Sequence, residues 1–262
     1  VTLLPANNEE DAVDDCSDDL NRVCADLANA AGDTAILLSN IADDQDFVET
    51  KADYAKEMVT AFIRLNGETV GAVANQPVDG ESVLTRNGLE KAERFIKFCD
   101  AFSIPLLTVT NVTGLRANAH EERKQALALA KFTTTLAQVS VPRINLIAGE
   151  AYGTAAEVMN SKAIGADFVL AWPQASVGMM DAEQAVRIMY AEEINTDKNK
   201  TALIAEKTAE YAEGQSSALA AAKRGYIDDI IEPDATRKRL IAAYEMLYGK
   251  KVTPVTKKHT AV

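Results

Sequence analysis

The 262-residue sequence is poor in three residue types, with three cysteines, two histidines and one tryptophan. Each shortage excludes a class of chemistry. Cys16, Cys24 and Cys99 are odd in number and form no Cys-x-x-Cys pair. That argues against a disulfide framework and against a zinc site. His120 and His259 are too few and too far apart for most metal sites, and they leave no evident Ser-His-Asp triad, so no metal ligands are expected. No apolar run approaches the roughly 18 residues that a membrane helix requires. Asn7, Asn8, Glu9, Glu10 and Asp11 follow the first apolar residues at once, a pattern unlike a secretory leader. A reduced, cytoplasmic setting is the simplest reading of the cysteine usage. The first residue is Val1 rather than Met, which reads as the start of a fragment.

Basic residues are scarce at one end only. Residues 1–60 hold fifteen acids against Arg22, Lys51 and Lys56, and that excess equals the whole net charge of −12. The remaining chain is neutral overall. Such an acidic block disfavours nucleic acid and anionic membranes as partners, while the neutral body stays open to an anionic small ligand.

What the sequence does contain is periodicity. Val13, Leu20, Val23, Leu27 and Ala31 repeat at helical spacing, so residues 1–60 read as an acidic helical segment leading into the main domain. Ala61–Leu65 and Thr69–Ala74 read as strands joined by an Asn66-Gly67 hairpin turn. Helices are expected over 89–102, 119–139, 153–164, 182–190, 198–223 and 235–247. Strands are expected at 104–109, 144–148, 168–172 and 226–231, with Gly225 as a helix C-cap. Alternating strands and helices imply an α/β fold with parallel crossovers. This main domain spans 61–250, and residues 251–262 form a basic tail to which Lys250 also contributes. Met179, Met180 and Met189 read as core or interface filler, and Trp172 as a packed strand end.

The stretch Gly149-Glu150-Ala151-Tyr152-Gly153-Thr154-Ala155-Ala156-Glu157 runs from a strand into a helix, with small residues at the first helical turn. The first amides of a helix have no internal partner, and the helix dipole adds positive potential there. Small side chains let a ligand oxygen approach those amides. The same pattern also serves tight helix–sheet packing, so alone it does not decide between the two.

Further segments carry a resemblance. They are Leu4-Pro5-Ala6-Asn7-Asn8, Phe62-Ile63-Arg64-Leu65-Asn66-Gly67 and Lys91-Ala92-Glu93-Arg94-Phe95-Ile96-Lys97-Phe98-Cys99-Asp100-Ala101-Phe102. Beyond them come Ala151-Tyr152-Gly153, Gly165-Ala166-Asp167-Phe168, Ala171-Trp172-Pro173 and Gly225-Tyr226-Ile227-Asp228-Asp229. In order and spacing the chain resembles the C-terminal, biotin-side carboxyltransferase domain of the acyl-CoA carboxylase β-subunits, those of propionyl-CoA carboxylase among them. The resemblance implies a crotonase-type (ClpP/crotonase) ββα superhelix. It also implies transfer of a carboxyl group between carboxybiotin, delivered on a carrier protein, and an acyl-CoA. Carried over by position, the oxyanion-holding backbone amides fall on Thr154 and Ala155, with Gly114 as a second donor. Tyr152, Gly153 and Glu157 fall at the ligand. The implied partners are an N-terminal acyl-CoA-binding carboxyltransferase domain, a biotin carrier, biotin carboxylase or decarboxylase subunits, and further copies of the chain.

Two departures stand out. The family commonly has Gly-Gly-Ala where this chain has Gly153-Thr154-Ala155, and the family's Pro-Gly-Phe loop is here Thr113-Gly114-Leu115. Two other readings stay open, a crotonase-like acyl-CoA hydratase or isomerase and a non-catalytic assembly subunit. A hydratase would use Glu157 with a second carboxylate twenty residues on, where this chain has Val177, with Asp181 four further. Arg116, Arg123 and Lys124 read as a solvated face, with contact to a CoA phosphate as the other possibility.

Overall fold

The computed structural model describes residues 3–8, 10, 12–250 and 252. Its centre is a sheet built from β1 (Phe47–Thr50), β2 (Met58–Leu65), β3 (Glu68–Asn75), β5 (Leu106–Val112), β7 (Arg143–Tyr152), β8 (Phe168–Ala171) and β10 (Asp229–Ile230), in that spatial order. β9 (Ser176–Gly178) pairs with the far end of β7, and β4 (Val83–Leu84) with β6 (Gly114–Leu115). The first three strands are antiparallel neighbours, and every later pairing is parallel. The β2–β3 turn is the expected hairpin. Asn66 and Gly67 adopt φ of 56° and 81°, the left-handed pair that a two-residue turn needs.

Period-2 alternation sends side chains to two cores. Val59, Ala61 and Ile63 of β2 face one side with Leu107, Leu146 and Trp172. There they meet α1 (Thr34–Ile41) and α9 (Thr236–Leu247). Met58 and Phe62 face the other side, against α2 (Arg86–Ala101) and α3 (Ala119–Gln138). Leu89, Ala92, Phe95, Ile96 and Cys99 form the buried stripe of α2, as their spacing predicts, and Thr85 caps the helix by accepting from Gly88 N. Trp172 is fully buried and donates from Nε1 to Thr236 Oγ1 at 2.9 Å.

The acidic N-terminal stretch departs from expectation. Instead of a helix from Val13 to Ala31, the chain runs through extended segments and turns until a 3-10 turn at Leu27–Gly32. Val13 and Val23 are exposed. The acids themselves supply the reason, because their short carboxylates bind backbone amides that a helix would use. Asp14 accepts from Asp15 N at 3.0 Å and Asp19 from Asn21 N at 2.9 Å, while Asp18 ties the stretch to Asp44 N at 3.1 Å. The stretch is then pinned across the body. Arg22 donates to Asn40 O and Ala42 O at 2.8 Å each, and the fully buried Arg237 pairs with Asp43 at 2.6 Å.

Four later expectations are also corrected. The helix predicted over 153–164 is α4 (Gly153–Val158) followed by a 3-10 turn, because Asn160 adopts φ 58° and breaks it. The helix predicted over 198–223 is α7 (Lys200–Tyr211), a π turn at Ala212–Ser216 and α8 (Ala218–Lys223), with Ser217 capping the last. Before them come α5 (Ala182–Met189) and α6 (Ala191–Thr196). Lys250 does not belong to a loose tail, since its Nζ pairs with Asp167 Oδ2 at 2.8 Å. Lys251 and residues 253–262 lie outside the described residues. Met179 and Met189 are mostly exposed, so of the two readings, core or interface filler, only the interface one stays open.

Candidate functional site

The site forms where β7 outruns its neighbour. Thr110 pairs with Ile147 but Val112 pairs with Ala151, so β7 carries extra backbone between them. The side chain of Asn111 fills that irregularity. Its Oδ1 accepts from Glu150 N at 3.0 Å, and its Nδ2 donates to Ala31 O at 2.9 Å. Gly149 is required beneath it, since a β-carbon there would lie 2.5 Å from Asn111 Oδ1. Asn75 Oδ1 in turn accepts from Asn111 N at 2.8 Å. This network fixes the strand end from which the turn departs.

The turn is Tyr152-Gly153-Thr154-Ala155. Gly153 adopts φ 58°, and its ideal β-carbon would approach Met179 O at 3.0 Å, so glycine is needed on both counts. β9 lies alongside, with Glu150 opposite Ser176 and Tyr152 opposite Gly178. Tyr152 is buried and its hydroxyl donates to Ser176 Oγ at 3.0 Å. Burial raises the Tyr152 phenol above its ordinary range, although the Ser176 contact opposes this. Thr154 is exposed, while Ala155 is buried in the second core.

Gly114 lies near this turn through β6, whose pairing with β4 sets Val83 against Gly114 and Leu84 against Leu115. Thr113 N donates to Ser82 O at 2.7 Å and Arg116 N to Leu84 O at 2.9 Å, so the loop is held at both ends. Gly114, Tyr152, Gly153, Thr154 and Ala155 therefore line one cavity of about 420 Å³, together with Leu115, Met179 and Met180. Glu157 is not among them. It lies on the exposed side of α4 and faces a second cavity of about 370 Å³ that also touches Gly153 and Met179.

Two acids also line the first cavity, Asp181, named above only against the hydratase pattern, and Glu150, which no feature of the sequence singles out. Burial, reinforced by the Asp181 carboxylate, raises the Glu150 carboxyl above the usual glutamate range. Asp181 caps α5 by accepting from Glu183 N at 2.9 Å. Arg116 pairs with Glu81 at 3.5 Å, whereas Arg123, Lys124 and His120 are exposed on α3. Among the described residues no group of histidine, cysteine and acidic side chains is arranged to hold a metal ion, and no helix is long and apolar enough to cross a membrane.

The chain matches the Carboxyl transferase domain over residues 2–262. It is 37% identical to the methylmalonyl-CoA decarboxylase subunit alpha of Propionigenium modestum, over 99% of this chain and 52% of that protein. It is 38% identical to a propionyl-CoA carboxylase beta chain of Roseobacter denitrificans, with the same two coverages. It superimposes on the transcarboxylase 12S subunit, a hexamer solved with methylmalonyl-coenzyme A and methylmalonic acid bound, at a TM-score of 0.91 and 35% identity. That match covers 98% of this chain and 51% of the other. The chain thus spans about half the length of these relatives. It belongs to the carboxyl transferase domain family and has the crotonase-type α/β fold of its members.

Proposed function

We propose that the chain is the biotin-facing half of a carboxyltransferase in a biotin-dependent acyl-CoA carboxylase or decarboxylase. It would move a carboxyl group between carboxybiotin and an acyl-CoA. The observation that carries this reading is that Thr154 and Ala155 of the turn and Gly114 of the loop line one cavity. The first amides of a helix lack an internal partner and carry positive potential, so they suit an oxygen that gains negative charge in the reaction. This cavity is the proposed place for the biotin ring. Its lining joins the turn residues to apolar Leu115, Met179 and Met180 and to the acids Glu150 and Asp181, with no basic side chain among them. Bound biotin supplies the ureido nitrogen that accepts or releases the carboxyl group. Thr154 and Ala155 would hold the ureido oxygen through backbone N–H groups, Gly153 and Tyr152 would shape the floor, and Gly114 would bring a second donor. Glu157, facing the adjoining cavity, tunes the acyl side.

The missing share of the site belongs to an N-terminal acyl-CoA-binding carboxyltransferase domain. A biotin carrier and carboxylase or decarboxylase subunits complete the cytoplasmic assembly, with further copies of this chain beside it. The test reconstitutes this chain with an acyl-CoA-binding half and a biotin carrier, then follows labelled carboxyl from methylmalonyl-CoA to the carrier. Avidin-sensitive labelling is expected. A stable complex that transfers no label would instead favour an assembly subunit, and biotin-independent hydration of crotonyl-CoA would favour a hydratase.

A further inference from the structure

The second cavity contains a recognition element of its own. Asn145 on β7 is 1% exposed and lines this cavity, as does the equally buried Thr110 on β5. Asn145 Oδ1 accepts from Thr108 Oγ1 at 3.0 Å and from Thr110 Oγ1 at 2.9 Å. Thr108 Oγ1 itself accepts from Asn160 Nδ2 at 3.1 Å. The donors therefore run in one direction, from Asn160 through Thr108 to Asn145. Each hydroxyl lies closer to Asn145 Oδ1 than to its other acceptor, Ile144 O at 3.3 Å for Thr108 and Met159 O at 3.4 Å for Thr110, so the amide oxygen belongs on that side. With its oxygen pinned by two hydroxyls, the Asn145 amide has only Nδ2 left to meet the cavity. That atom makes no hydrogen bond among the described residues.

The rest of the deep lining is mostly apolar, with Ile147, Ala151 and Val169 buried, and Ser161 adds one buried hydroxyl that has no partner among the described residues. The charged lining residues Glu157 and Arg224 are exposed at the mouth, and Lys162 there is paired with Asp228 at 2.7 Å. We infer that this cavity binds a small uncharged group with a hydrogen-bond acceptor, a carbonyl or ether oxygen, at its buried end, and that Asn145 Nδ2 is the residue that selects for it. A buried donor without a partner penalises a ligand that lacks the acceptor more strongly than it rewards one that has it. The inference does not depend on the carboxyltransferase reading.

Two probes of the same shape test it, cyclopentanone and methylenecyclopentane, which exchange C=O for C=CH₂. Each is titrated into the isotopically labelled chain while the Asn145 side-chain amide signal is followed by NMR. The ketone should bind about fivefold to tenfold more tightly than the alkene and move the Nδ2 proton signals. N145D keeps an oxygen for the two threonines and removes the donor, so it should abolish the preference. Equal affinity for the two probes, absence of binding by both, or shifts confined to other residues would overturn the assignment. The paired probes on the unmodified chain decide the question even where N145D does not fold.

Discussion

Gly149→Ala makes a quantitative test of how the turn is held. The added β-carbon would lie 2.5 Å from Asn111 Oδ1 and 2.8 Å from Asn111 Cγ. Asn111 can yield only by giving up its bonds to Glu150 N and Ala31 O, at 3.0 and 2.9 Å. At about 1 kcal/mol net for each hydrogen bond, the substitution costs about 2 kcal/mol. For a chain of this size that corresponds to a fall in Tm of roughly 4–8 °C. Asn111→Ala loses the same two bonds and should cost about the same. The double variant is the informative one. Once the Asn111 side chain is gone, the new methyl group at 149 has room, so the pair should cost about 2 kcal/mol rather than about 4. Equilibrium urea unfolding with an unchanged slope measures all three. Additive losses would show that Gly149 is not required by Asn111, and the account of the strand end would fail.

Other regions give sharper or broader checks. Arg237→Met strands Asp43 beside a fully buried site and should cost about 3 kcal/mol or more in urea unfolding. Glu150→Gln bears on pH dependence. Because its folded pKa is raised, wild type loses stability relative to the variant as pH rises from the ordinary glutamate value through the folded one. Thermal scans of both proteins should therefore agree at acidic pH and diverge toward neutrality, with the variant higher. Free biotin should bind this chain no better than about millimolar, roughly −4 kcal/mol by calorimetry, because the carrier and the complementary half supply much of the contact.

The fold was legible wherever local chemistry was decisive. Asn66-Gly67 permits the left-handed pair of its turn, and the α2 stripe needs only period 3.6. Spacing misled at Val13–Ala31, where apolar periodicity was real but competing carboxylate-to-amide bonds won. The break at Asn160 was hidden because no glycine or proline marks it. At the site, the strand-to-helix turn and Gly114 could be placed from sequence and resemblance. Asn111, Asn145 and Glu150 could not, since their roles depend on the irregular β5–β7 register and on side-chain networks that bring distant segments together.

The proposed oxyanion role of the turn predicts a ranking of variants in the reconstituted carboxyl-transfer assay. Thr154→Gly keeps its amide and should retain turnover. Ala155→Pro removes one amide while proline is still tolerated in a first helical turn, and should lower kcat by about 10²–10³. Glu157→Gln should shift acyl preference and leave most of the rate. The carboxyl-transfer rate of a folded Ala155→Pro variant is the most direct measurement. A loss of that size, with Glu157→Gln nearly intact, is the predicted result, whereas a folded Ala155→Pro variant at wild-type rate, or Glu157→Gln as the most damaging change, would contradict it.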